Sequence, residues 1–350
     1  VIFLGNDGEH GGEPWFSDGT EAGTMMLKDI VGAETISSRP FSPFNLQGKL
    51  LYFAYNPDSF ASGDLYALYS SDGSADNTLP IKSFSTFSLG SSGEKPALFN
   101  TAVYFAVSTS TGANGTELWR SDGTTAGTSM LVDIYPGLNS SSPTWLTPSG
   151  QILFFSAINA NNGKELWKTG GTAETTELIK DIAPGMNGSY PEFLVSDGAG
   201  GIYFAANDGT SGTELWHSDG TAANTRMVID IRPGSNSSYP ENLTIAGTNL
   251  FFTADNGIHG RELWVTNGTA EGTRHVRDIN PGTSGSSFEP YRQPFAVMGN
   301  QIFFGVGTDL FGYELWISDG TETGTAIVKD VYPGSGTSNI KNLTVFNGSL

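Results

Sequence analysis

The chain contains no cysteine, which excludes disulfide staples, cysteine nucleophiles and thiolate metal sites. Basic residues are scarce: 17 Lys and Arg stand against 36 Asp and Glu, for a formal net charge of -19 and a pI near 4.4. Phosphate recognition needs a basic surface, so nucleic acid is not an expected partner. The charge suits a soluble surface in salty or calcium-containing fluid, either as a solvated acidic exterior or as an attractor of specific cations. No apolar run approaches the roughly 18 residues needed to span a bilayer, so no membrane insertion is expected. No stretch combines a 3.6-residue period with helix caps, so no helices are expected. HExxH, GxSxG, a Walker loop and a GxGxxG following a strand are all missing, which removes the usual signatures of helical zinc sites, serine hydrolases and nucleotide binders.

Aromatics reach 12% while charged residues make up only 15%, the balance of a packed protein rather than a disordered one. The 46 glycines follow no collagen period and sit in turns. A length of 350 residues exceeds most single cores, a limit that repeat folds escape. The chain opens at Val1 without Met or a signal peptide, so a processed form, or one domain of a larger polypeptide, is expected.

One octapeptide keeps returning. Glu117 to Thr124 reads ELWRSDGT, and close copies start at Glu13, Glu165, Glu214, Glu262 and Glu314, with an eroded one, ALYSSDGS, at Ala67. Trp15, Tyr69, Trp119, Trp167, Trp216, Trp264 and Trp316 mark the copies, about 50 residues apart. Within one unit, Asn242–Ala246 is a short apolar run, Leu250–Ala254 an aromatic and β-branched strand, and Glu262–Thr266 a third strand. An Asn-Gly turn follows, and then a fourth strand from Thr273 to Ile279 that stops at Pro281-Gly282. Four antiparallel strands per unit, seven times over, predict an all-β chain: a single seven-bladed β-propeller domain over residues 1–350. Phe252, Leu263 and Trp264 should form the layers between blades, since so small a unit must stack on its neighbours. Asn342 to Leu350 matches Asn242 to Leu250, and Val1 to Gly8 matches Leu250 to Gly257. The C-terminal strand is therefore expected to close the propeller by pairing with three N-terminal strands.

On these motifs the chain resembles the ELWxxDGT-repeat proteins, found mostly in large bacterial secreted or surface polypeptides. The resemblance covers the whole chain and implies an extracellular or cell-surface location and a binding or adhesive role; it supplies no catalytic residues. Gly170 and Asn267 in place of Asp, and Ala67 in place of Glu, depart from the pattern.

Each good unit also carries a Glu and an Asp 16 residues apart: Glu13 with Asp29, Glu117 with Asp133, Glu165 with Asp181, Glu214 with Asp230, Glu262 with Asp278, and Glu314 with Asp330. A hairpin about the Gly-Thr turn sets them opposite one another, and facing carboxylates need compensation. The side chains can cap backbone amides of neighbouring loops. Alternatively a calcium ion bridges them with further oxygens, six to eight being required. A third alternative is a different register. In the eroded unit both acids are missing together, as Ala67 and Ser83. The Asp of the Ser-Asp-Gly-Thr turns reads as turn chemistry. The second unit breaks the symmetry with a longer loop, making Tyr55, Phe60 and Tyr66 candidate ligand contacts. Trp145 stands outside the repeated Trp position, where it could stack on a sugar or plug a channel. The function expected from the sequence is thus a binding or adhesion module without catalytic activity, with calcium as the candidate stabilising ion, a surface glycan or protein as ligand and other domains of a larger polypeptide as neighbours. A calcium-dependent carbohydrate-binding propeller and a polysaccharide-acting enzyme are the alternatives.

Overall fold

The computed structural model describes residues 1–32, 36–56, 63, 65–87, 95–109, 114–288 and 295–350. These form seven antiparallel sheets in sequence order. The sixth shows the pattern, with strands Glu241–Ala246, Asn249–Asp255, Arg261–Thr266 and Arg274–Arg277 hydrogen-bonded in chain order. Its second strand is mostly apolar because both of its faces are covered: Leu250, Phe251, Phe252, Thr253 and Ala254 are all buried. Phe252 lies opposite Trp264, and Ala254 opposite Glu262. The corresponding pairs in other sheets are Phe3 with Trp15, Tyr52 with Tyr69, Phe105 with Trp119, Phe204 with Trp216 and Phe304 with Trp316.

Two irregularities recur. The ladder between third and fourth strands shifts by one residue beside the marker aromatic, as between Leu263 and Trp264 or Leu68 and Tyr69. The first strand carries a bulge whose extra residue is left-handed, at Ser42, Trp145, Phe193 and Asn242 (φ 48°, 58°, 57° and 57°). Such bulges increase local twist.

Neighbouring sheets pack face to face. Phe251, Leu263, Val276 and Ile279 of the sixth sheet share a core with Phe288, Ile302, Phe304 and Trp316 of the seventh. Leu51, Phe53, Leu68 and Phe84 of the second share another with Val103, Phe105 and Trp119 of the third. Each fully buried Leu, Ile or Phe contributes about 1.5–3 kcal/mol, so these layers are the main source of stability. Phe252, Leu263 and Trp264 are all buried, as expected for inter-sheet positions. The fold is all-β and propeller-like, built of stacked, mostly four-stranded antiparallel sheets. The chain divides into two compact units, one of Val1–Ala160 with Thr169–Thr176, the other of Asn161–Lys168 with Glu177–Leu350.

One expectation is corrected and one is not shown. A 3₁₀ turn occupies Ala173–Thr175, where no helix was expected. Gly170 lacks the turn carboxylate, and its N–H donates to Thr175 Oγ1 instead, which tightens the segment. The C-terminal residues do not complete the first sheet. That sheet has three strands, Ile2–Asn6, Gly12–Ser17 and Thr24–Met26. Beyond Lys329 the pairing consists of the single bridge Phe346 to Ser349.

Candidate functional site

The recurring Glu is the most organised polar group in the molecule. Glu13, Glu117, Glu165, Glu214, Glu262 and Glu314 are all fully buried, each on the last strand but one of its sheet. The ladder stops just past the Leu that follows it, Leu118 pairing with Val132 and Leu263 with Arg277. This places the Asp of each pair beside the Glu, as the spacing of 16 requires. Burial raises the carboxyl pKa of Glu13, Glu117, Glu214 and Glu262, and the neighbouring negative charge adds a smaller push in the same direction. Burial likewise raises Glu165. Glu262 is pushed up to about 7.

Backbone amides and serine hydroxyls compensate the repulsion. Glu165 Oε1 accepts from the N–H of Ala183 and of Ser189, and Oε2 from the N–H of Ile182 and the hydroxyl of Ser189. All four lone-pair sites of that carboxyl are occupied. Ile134 N and Ser141 donate to Glu117, Ile231 N and Ser238 to Glu214, and Ile279 N, Asn280 N and Ser286 to Glu262. Glu13 takes Ile30 N and Ser38 N. Glu314 takes Val331 N and Tyr332 N.

The serine is what makes this arrangement a staple between sheets. Ser141, Ser189 and Ser238 donate to the Glu of one sheet while their carbonyls accept from Ile158, Asn207 and Asp255, at the end of the second strand of the next. The serine follows the Glu by 24 residues, or by 25 from Glu13 to Ser38. Sequence reasoning missed these serines, although their constant spacing was on view.

The partner acids are less committed. Asp133 and Asp181 accept at Oδ2 from the Nδ2 of Asn114 and Asn162 (2.8 Å each). Asp29 and Asp330 accept from the N–H of Gly32 and Gly334. Oδ1 of Asp133, Asp181, Asp230, Asp278 and Asp330 is buried and accepts no hydrogen bond. Among the described residues no group of three His, Cys, Asp or Glu is placed to hold a metal ion.

The turn acids act locally. Asp122 Oδ1 accepts from the N–H and hydroxyl of Thr124, and the hydroxyl bond holds its pKa below the ordinary carboxylate value. Asp18, Asp219 and Asp319 repeat this geometry.

Among the candidate ligand contacts, Tyr55 and Tyr66 face each other across the second sheet, with ring centroids 6.3 Å apart. Phe41 packs edge-on to Tyr66 and stacks on Phe53, so these rings join a half-buried aromatic cluster. Phe60 lies outside the described residues. Trp145 is half-buried at the left-handed bulge of the fourth sheet, its carbonyl accepting from Thr147 Oγ1 (2.9 Å). A cavity of about 440 Å³ lies by the turns of the second and third sheets, lined in part by Lys49, Asp72, Asn77, Pro80 and Thr124. Asn77 Nδ2 donates to Asp72 there (2.6 Å).

No family model and no curated sequence matches the chain. Solved structures alike in fold include a puromycin hydrolase, 13% identical with a TM-score of 0.47 over 97% of this chain and 52% of that one. A prolyl endopeptidase is 13% identical, with a TM-score of 0.48 over 81% of this chain and 42% of that one. The acylaminoacyl peptidase of Pyrococcus horikoshii is 10% identical, with a TM-score of 0.44 over 94% of this chain and 50% of that one. The chain therefore spans about half the length of these proteins. The expectation of a binding or adhesion module without catalytic activity is corrected here: the neighbours named are peptidases and a hydrolase, and adhesion is no part of their description.

Proposed function

We propose that residues 1–350 are the propeller module of a larger hydrolase of the peptidase type, whose catalytic groups are carried outside this stretch. In its finer form the seven sheets are blades of one propeller, closed by the C-terminal segment. The observation carrying this reading is internal to the chain. The recurring acids, its most conspicuous chemical feature, are taken up by staples that tie one sheet to the next and by turns that close hairpins. A molecule whose repeated polar chemistry is spent on rigidity serves as a scaffold for chemistry done next to it, and a rigid wall beside a reaction centre restricts what reaches it. The ELWxxDGT resemblance adds the proposal that the larger polypeptide is secreted or surface-exposed.

The test is a peptidase assay with fluorogenic short peptides on the natural full-length polypeptide and on residues 1–350 alone. Turnover by the full-length polypeptide and none by residues 1–350 is expected. An inactive full-length polypeptide, or cleavage by residues 1–350 alone, overturns the reading.

A further inference from the structure

The cavity of about 440 Å³ by the turns of the second and third sheets is lined by charges that the staples leave unused. Lys49 heads the second strand of its sheet and closes the hairpin opposite Leu46. Ala102, Ile152, Asn249 and Gln301 stand at that place in four other sheets, so the charge is particular to the second. Other lysines of this region are engaged: Lys28 Nζ donates to Ala75 O (3.4 Å), and Lys82 Nζ lies over the Trp119 ring (5.5 Å). Lys49 Nζ makes no hydrogen bond or ion pair among the described residues.

Asp72 carries the opposite charge. Its Oδ1 accepts from the N–H and hydroxyl of Ser74, and its Oδ2 from Asn77 Nδ2. These bonds, the Ser74 hydroxyl foremost, hold its pKa below the ordinary carboxylate value, so it is ionised at neutral pH. A carboxylate offers about four lone-pair sites, which leaves one on Oδ2 open. Leu79, 54% exposed, joins Pro80 and Ile81 as an apolar wall, and the turn Gly123–Thr125 of the third sheet completes the lining. In the fifth sheet Asp219 and Asn224 build the same turn. There, however, Gly201 and Arg226 stand where the second sheet has Lys49 and Leu79, so the turn recurs without the cation or the apolar wall.

We propose that this cavity binds a free aliphatic amino acid of leucine's class, with its carboxylate on Lys49, its ammonium on Asp72 Oδ2 and its side chain against Leu79, Pro80 and Ile81. A volume of about 440 Å³ falls in the range of small-molecule sites, which join an apolar lining to a few polar groups that fix orientation. One cation, one anion and an aliphatic wall are the complement of a molecule that bears all three on one carbon. A peptide carries its terminal ammonium and carboxylate on different residues and meets only half of the site. None of these groups belongs to a staple, and the site is independent of the hydrolase reading.

Calorimetric titration of the full chain with L-leucine, L-leucinamide, N-acetyl-L-leucine and glycine tests the proposal. L-leucine should bind saturably. Each of the others lacks the carboxylate, the ammonium or the side chain, and should bind at least about tenfold more weakly, the scale of one bond to a charged group. Lys49→Gln and Asp72→Asn should each weaken L-leucine by about the same factor, and Leu79→Ser several-fold. All three changes have precedents at the equivalent places: Gln301, Asn267, which makes the same turn bonds to Thr269, and Ser129. Asp219→Asn in the fifth sheet should leave binding unchanged. No saturable binding of L-leucine, equal binding of any analogue, tighter binding of the dipeptide Leu-Leu, or an unaltered Kd in Lys49→Gln overturns the proposal.

Discussion

The second and fourth sheets solve the same joint in different ways. The fourth ties itself to the fifth through Glu165, whose carboxyl collects three amides and a hydroxyl across the connection. The second carries Ala67 at that position, facing Ser83 on the ladder. Its ladder runs one pair further, to Tyr66 and Phe84, and the chain passes through Ser85 directly into Thr86–Phe87, a strand of the third sheet. Ser85 N–H and Oγ both donate to Ser108 O there. Where the strand itself continues into the next sheet, no carboxyl is needed. Where an irregular connection intervenes, a buried acid collects its orphan amides. The loss of Glu and Asp together in one unit is thus a change of joint rather than decay.

Substitutions can break this contrast. Glu165→Ala strands several buried donors at once, each costing about 1–3 kcal/mol. A loss of roughly 4 kcal/mol or more is expected in urea unfolding, and a loss under 1 kcal/mol would show the staple to be idle. The reverse change, Ala67→Glu, forces a carboxyl into a fully buried site where the ladder already engages the backbone. A loss of about 3 kcal/mol follows from burying an unpaired polar group, whereas a gain would show that the second sheet accepts a staple after all. Ser189→Ala removes one hydroxyl bond to a charged group, worth roughly 1.5–3 kcal/mol, and leaves the amide donors in place. It should therefore fall below Glu165→Ala in the same assay.

The pH dependence sharpens the contrast further. Burial raises Glu262 to about 7 from 4.5, so the folded state holds this proton more tightly than the unfolded chain. Its stabilising effect is complete below pH 4.5 and is lost as pH rises through 7. Glu262→Gln should flatten the decline in urea midpoint between pH 4.5 and 7.5, and an unchanged slope would assign that decline elsewhere. The smallest effect is expected from calcium against chelator. Glu165 has no lone pair left for a cation, so Tm should move by about a degree or less; about 2.7 kcal/mol is the scale at 100 times a Kd, and a shift of that size would show a bridging ion.

Much of the architecture could be read from short-range pattern. Marker aromatics, apolar second strands and Asp-Gly turns are local signals, and Phe252 opposite Trp264 follows from them. The closeness of Glu and Asp was also readable, because one hairpin fixes it. The staple was not, since Ser189 reaches Glu165 across a connection whose path no propensity specifies. Nor could Trp145 be placed, because its left-handed backbone at a bulge follows from strand twist rather than from the preference of a bulky residue. Its backbone conformation is shared with Ser42, Phe193 and Asn242.

The spacing of the staples has a kinetic consequence. Glu13, Glu117, Glu165, Glu214 and Glu262 each reach a serine only 24 or 25 residues ahead, so these joints form over short loops, which close quickly and at small entropic cost. Assembly can then start at any sheet and spread to its neighbours, as in other repeat arrays.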